Sequence, residues 1–85
     1  MTGRMPRHLV IESQLMSSPT LLEPKDGEYL SHWDVYEQGT LVRVSAEFRR
    51  RDAPQAPPRV STEYWDLRLL NRVHVEGDIE NPGEP

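Results

Sequence analysis

Tyr29-Leu30-Ser31-His32-Trp33-Asp34-Val35-Tyr36-Glu37-Gln38-Gly39-Thr40-Leu41-Val42-Arg43-Val44-Ser45-Ala46-Glu47-Phe48-Arg49-Arg50 is the stretch that decides the fold. It alternates apolar and polar residues on both sides of a single glycine, the period-two pattern of two half-buried strands joined by a tight turn. With Gln38-Gly39 as a two-residue loop, Val35 faces Val42, Trp33 faces Val44, Ser31 faces Ala46 and Tyr29 faces Phe48, so one face of the ladder is almost wholly apolar. On the other face Tyr36 pairs with Leu41, Asp34 with Arg43 and His32 with Ser45, which sets an ion pair across the strands on the wetter side. A slip by one residue places Trp33 against Arg43 and scrambles both faces, which is how a buried face specifies register. Gly39 suits the positive φ that such turns require.

Outward from the hairpin the pattern weakens. Upstream, Leu9, Ile11 and Leu15 share one parity with Ser13 over His8 to Met16, which predicts a further strand. Ser17-Ser18-Pro19 breaks it, Leu21 and Leu22 supply a brief apolar contact, and Pro24-Lys25-Asp26-Gly27 is a turn. Downstream, Ala53-Pro54-Gln55-Ala56-Pro57-Pro58 is a loop, since its prolines lack ladder donors. Residues 59–76 read two ways. Ser61 or Thr62 as a cap, acids early and Arg68 and Arg72 late favour a helix over 61–72. At period two, however, Trp65, Leu67, Leu69, Val73 and Val75 fall on one side, so a strand with a bulge or bend near Leu70-Asn71 is the preferred reading. The expected fold is therefore all-β, a small antiparallel sheet or compact sandwich built around the 29–50 hairpin, with α+β as the alternative. One small domain is expected over 1–85, with an N-terminal arm at 1–7 and an acidic tail at 77–85.

Composition bounds the function. The chain has 85 residues, a net charge of −4 and no cysteine, so disulfides, thiolate nucleophiles and cysteine-type zinc sites are excluded. Leu, Ile, Val and Phe together number 19, barely above the level of about 20% that separates folded from disordered chains, so the core is small. No run of about 18 apolar residues spans a membrane, and Leu9-Val10-Ile11 is too short for a signal-peptide core of roughly 7–15 residues. The expected location is cytoplasmic or virion-associated. Charge is segmental: residues 12–38 are acidic, Arg43 to Arg51 is basic and Glu76 to Glu84 is acidic, which favours polar interfaces over a single-sign field.

No catalytic constellation emerges. The serines lie in no Gly-x-Ser-x-Gly turn, no glycine-rich phosphate loop exists, and Lys25 is the only lysine. His8, His32 and His74 have no helical ligand spacing, so neither a metal site nor a cofactor is expected and the protein is read as no enzyme. Arg49, Arg50, Arg51 and Arg59, with Tyr64 and Trp65 nearby, have the residue types that neutralise phosphates and stack on bases. The pI of about 5.3 opposes a nucleic-acid footprint, so nucleic acid ranks behind protein as a partner, and the same arginines would equally meet acidic groups. Tyr36, Leu41 and Leu30 fall on the hairpin face away from the core parity and, with Trp65, are the candidate protein-binding residues. A protein partner or a homo-oligomer is the leading expectation.

Residues 36–60, with an aromatic, a glycine turn, Val42-Arg43-Val44-Ser45-Ala46-Glu47-Phe48, a proline-containing loop and Arg59-Val60-Ser61, resemble the opening of small immunoglobulin-like β-sandwich proteins of tailed phages. The resemblance implies a structural or accessory role through protein contact and adds no catalytic residue. After Tyr64 the chain departs from it, because Trp65 to Leu70 is bulkier than the usual Thr/Val alternation. Two further functions fit the sequence: an inhibitor or antitoxin-like protein presenting its acidic tail to a basic cleft, and a nucleic-acid binder using the arginines.

Overall fold

A computed structural model describes residues 5–77. The chain is all-β, with strands β1 (His8–Ser13), β2 (Thr20–Leu22), β3 (Glu28–Gln38), β4 (Leu41–Arg50), β5 (Arg59–Asp66) and β6 (Leu70–Glu76). They form two antiparallel three-stranded sheets, one ordered β2-β1-β6 and the other β3-β4-β5. Because β6 returns to pair with β1, the strands follow one another cyclically in chain order, as in an up-and-down barrel left unpaired at two seams. No helix occurs over 61–72.

The core lies between the sheets. Val42, Val44, Ala46 and Phe48 of β4 face Leu9 and Ile11 of β1, with Leu22 and Leu30 completing it and Trp65, Leu70, Val73 and Val75 packed at its margin. Burial of these side chains contributes about 25 cal/mol per Å² of apolar area. The strict alternation along β4, buried at every second residue, is the period-two signal at full strength.

The hairpin forms with its faces as expected, but its register is offset by two. The loop is Gly39-Thr40, closed by Gln38 opposite Leu41, so that Val35 faces Val44, Trp33 faces Ala46, Tyr36 faces Arg43, Asp34 faces Ser45 and His32 faces Glu47. Turn chemistry is the cause: Gly39 takes the positive φ, 63°, at the first central position and Thr40 does not, whereas the expected loop would have put Gln38 there. A two-residue offset leaves each side chain on its face, but it moves Arg43 from Asp34 to Tyr36, whose ring lies 5.1 Å from the guanidinium carbon. A bulge between Leu30 and His32 then reverses the phase. Leu30 opposes Phe48 and is buried, while the Ser31 hydroxyl donates to the carbonyl and the carboxylate of Glu47, both at 3.1 Å. Leu30 is thus a core residue and leaves the set of protein-binding candidates; Tyr29 faces Arg49 rather than Phe48.

Two further expectations change. Residues 59–76 form two strands in different sheets, divided by the turn at 67–69. Asp66 builds that turn, accepting from the Arg68 backbone at 2.9 Å through its carboxylate and from the Leu69 backbone at 2.9 Å through its carbonyl. Leu70 therefore points to the core and Leu67 to solvent. Upstream, β1 ends at Ser13, so Leu15 is exposed instead of sharing the face of Leu9 and Ile11.

Residues 5–7 of the expected arm run beside the end of β6. Gly77, with φ of 112°, presses against them: a β-carbon there would lie 2.8 Å from the Arg7 α-carbon and collide with the Pro6 carbonyl. Only glycine fits that conformation and that approach. Gly77→Ala should lower stability by about 1–3 kcal/mol, measured by urea titration, with the loss focused on the β1–β6 end in hydrogen exchange. An unchanged midpoint would show that the close approach carries no weight. The remaining arm residues 1–4 and the tail residues 78–85 lie outside the described residues.

Candidate functional site

The outer face of the β3-β4-β5 sheet gathers side chains in cross-strand rows. Antiparallel pairing on both sides of β4 places Gln38, Leu41 and Asp66 in one row, Tyr36, Arg43 and Tyr64 in the next, then Asp34, Ser45 and Thr62, then His32, Glu47 and Val60. Residues directly opposite on one face sit about 4.5–5.5 Å apart at their β-carbons, so each row is a contact set. Tyr36, Leu41, Val60 and Tyr64 are between 49% and 64% exposed, too many large apolar groups on one face to be scattered surface residues.

Arg43 is the centre of this face. It lies between Tyr36 and Tyr64, and its Nε is buried without a hydrogen-bond partner. Two shallow depressions meet at it. One, of about 210 Å³, is lined by Tyr36, Gln38, Leu41, Arg43 and Tyr64. The other, of about 200 Å³, is lined by His32, Asp34, Ser45, Glu47 and Val60 as well as Arg43. The arrangement offers flat aromatic and aliphatic contact around a stacked cation, which is what protein interfaces use as anchors.

Of the protein-binding candidates, Tyr36 and Leu41 stand on this face, on neighbouring strands and in rows that adjoin. Trp65 does not. Its parity carries it inward against the core, where Val42 is its partner on β4. Tyr64, Val60 and Arg43 complete the patch; the sequence had offered Tyr64 only for stacking on bases and Arg43 only as the partner of Asp34, and neither they nor Val60 as protein-binding residues. The parity signal was present for Tyr64 and Val60: once Trp65 is assigned to the core, its neighbours at odd spacing must face outward.

The arginine candidates do not form an open cation cluster. Arg59 Nη2 contacts Glu28 at 2.8 Å and its Nε reaches the same carboxylate at 3.1 and 3.2 Å, while Nη2 also donates to the Glu23 carbonyl at 3.2 Å. The guanidinium carbon rests 4.6 Å from the centre of the Phe48 ring. Arg50 pairs with both oxygens of Asp52 at 3.0 and 3.1 Å. Arg49 meets Glu47 at 3.3 Å and donates to the Pro54 and Ala56 carbonyls, which ties the proline loop to β4. Arg51 is exposed, and its backbone N–H donates to Gly27 at 2.8 Å. The Arg59 hydrogen bonds hold the Glu28 carboxyl below its usual range, and the Arg50 hydrogen bonds do the same for Asp52. Arg68, with help from its own backbone N–H, holds Asp66 down to about 2.

Two of the three histidines share a sheet, with His8 directly opposite Glu76. His74 Nε2 lies 2.7 Å from Glu76, His8 Nδ1 lies 2.9 Å from the Pro6 carbonyl, and His32 is on the other sheet. Among the described residues, no group of three or more His, Asp or Glu side chains is placed to hold a metal ion. Comparison with protein-family models, with curated proteins and with solved structures finds no match.

Proposed function

We propose that this protein is a non-enzymatic binding or assembly module whose partner is a protein docked on the outer face of the β3-β4-β5 sheet. The observation that carries this reading is the exposed Tyr36–Arg43–Tyr64 row with Leu41 beside it. Tyrosines cost little conformational entropy on docking, and a guanidinium already stacked on a ring is positioned to take a carboxylate from the partner. A structural or accessory role of the kind implied by the resemblance of residues 36–60 to phage sandwich proteins agrees with it. The internal pairing of Arg49, Arg50 and Arg59 weighs against the nucleic-acid reading, because phosphate would first have to displace a carboxylate.

Site-specific photocrosslinking in the native host tests this. A photoreactive residue at Tyr64 should capture a discrete protein, and Leu41→Asp should reduce that product at least tenfold. The same group at Arg72, on the other sheet, should give none of it. Equal products from both positions, or none from either, would remove the outer face as a binding surface.

A further inference from the structure

We infer that the protein forms a homodimer by antiparallel pairing of two copies of β3 along its free edge, with the twofold axis at Val35. Among the described residues β3 is the outer strand of its sheet, and its only ladder partner is β4. From His32 to Gln38 seven consecutive residues are exposed on both faces. Trp33 and Val35 point to the core side, next to Ala46 and Val44, which are fully buried, yet they remain 37% and 38% exposed. The reason is the mismatch between the sheets: β3 has 11 residues, whereas β2 has 3 and covers none of this stretch. The apolar face thus runs out to an open edge, which natural proteins ordinarily pair or blunt.

The register of self-pairing follows from the hairpin. A two-residue loop makes Gln38 and Leu41 a hydrogen-bonded pair, so Tyr36 and Asp34 also bond toward β4. Trp33, Val35 and Glu37 then direct their N–H and C=O groups outward. Two copies related by a twofold axis normal to the sheet keep core side with core side only if the axis passes through a residue. Centred on Val35, each Val35 exchanges both bonds with the second copy's Val35, and Trp33 does so with the second copy's Glu37, placing an indole N–H beside a carboxylate. On the outer face Asp34 lies opposite the second copy's Tyr36, a carboxylate facing a phenol. No two acids meet. Centred on Asp34, two carboxylates would lie directly opposite in the closer, non-hydrogen-bonded pairing, and like charges there repel. Centred on Tyr36, one hydrogen-bonded pair of residues is lost and Val35 is set against Glu37. The free edge of β5 is the competing site, but its core-side residues Ser61, Glu63 and Trp65 are already half-buried and leave no apolar surplus for a second strand to cover.

The β3 edge meets the outer face at Asp34 and Tyr36, but the strand-edge hydrogen bonds of the dimer involve neither Tyr64 nor Leu41, so the dimer does not depend on the partner read from those two residues. Light scattering after size exclusion should give twice the 9.9 kDa chain mass. Val35→Pro removes the N–H at the axis from a position where β4 does not need it, so it should return the mass to 9.9 kDa with the far-ultraviolet spectrum retained. Val35→Lys should do the same if the proline disturbs folding. The chain has no cysteine, so a single Val35→Cys should oxidise to a covalent dimer, since opposed hydrogen-bonded residues have α-carbons about 5.5 Å apart, within disulfide range. Thr62→Cys, on the β5 edge, should not. A wild-type chain of monomer mass up to millimolar concentration overturns the proposal, as does cross-linking through Thr62→Cys in place of Val35→Cys.

Discussion

Phe48→Ala is expected to abolish the folded state at room temperature. Phe48 is 1% exposed and is the largest of the fully buried side chains. Truncating a buried phenylalanine costs about 3–5 kcal/mol, as lost transfer energy plus an unfilled cavity. A chain of this size with one small core has roughly that much stability in total. The site has little means of collapsing around the gap. Leu30 is fixed opposite by the bulge at Ser31, and the Arg59 guanidinium on the ring is held from its other side by Glu28. Circular dichroism should show loss of the strand signal and no cooperative thermal transition. Retention of a cooperative transition within a few degrees of wild type would mean that the core does not centre on β4. Phe48→Leu, which keeps most of the volume, should fold with a lowered midpoint.

Arg59→Ala is expected to have the second largest effect, about 2 kcal/mol at neutral pH. The mutation removes the cover over Phe48 and strands the Glu28 carboxylate, whose side chain is only 12% exposed. Replacing both members, Glu28→Leu with Arg59→Met, should recover most of the loss, since no charge is then left without a partner. The pair also sets the acid limit of the fold. Arg59 depresses the folded pKa of Glu28 below its ordinary 4.5, so its contribution is complete above about 4.5 and is lost as pH falls through the folded value. Asp66 follows the same sign, from 3.8 down to about 2, and because it sits at a surface turn paired with the exposed Arg68 it extends the window without adding much. Denaturant midpoints should therefore decline only below about pH 4.5, and the penalty of Arg59→Ala should shrink across that decline. A penalty independent of pH would assign the effect of Arg59 to packing on Phe48 alone.

The faces of the hairpin could be read from residues 29–50 because they rest on period-two alternation, which a slip of two positions cannot disturb. The register could be read less well for the same reason. Both offsets give an apolar face, and only the dislike of Gln38 for positive φ separates them, a small local preference against a strong global pattern. The bulge had no signature, since Ser31 is a small polar residue that fits either phase. That single residue moved Leu30 from an expected contact surface into the core. The break between β5 and β6 was expected only as a bulge or bend near Leu70-Asn71, because Asp66 makes the turn at 67–69 with its own side chain where glycine or proline would have announced it. The arginines were visible as a basic run, but the partner of Arg59 is Glu28, far off in sequence, and only the fold brings them together. The outer-face row needed three strands in register, so Tyr36 and Leu41 were legible from the hairpin whereas Arg43 and Tyr64 were not legible as their neighbours.

The cyclic strand order has a kinetic consequence. Both hairpins of the β3-β4-β5 sheet join neighbours in sequence, so their loop-closure cost is small. β1 is different: its longest ladder is with β6, from His8 opposite Glu76 to Ser13 opposite Leu70, and closing it spans nearly the whole described chain. Until that closure happens, the apolar side of β4 has only half of its cover. Folding should therefore begin in the meander and end with β1 arriving, at a rate set by the high sequence separation of that last contact rather than by the local preferences of any strand.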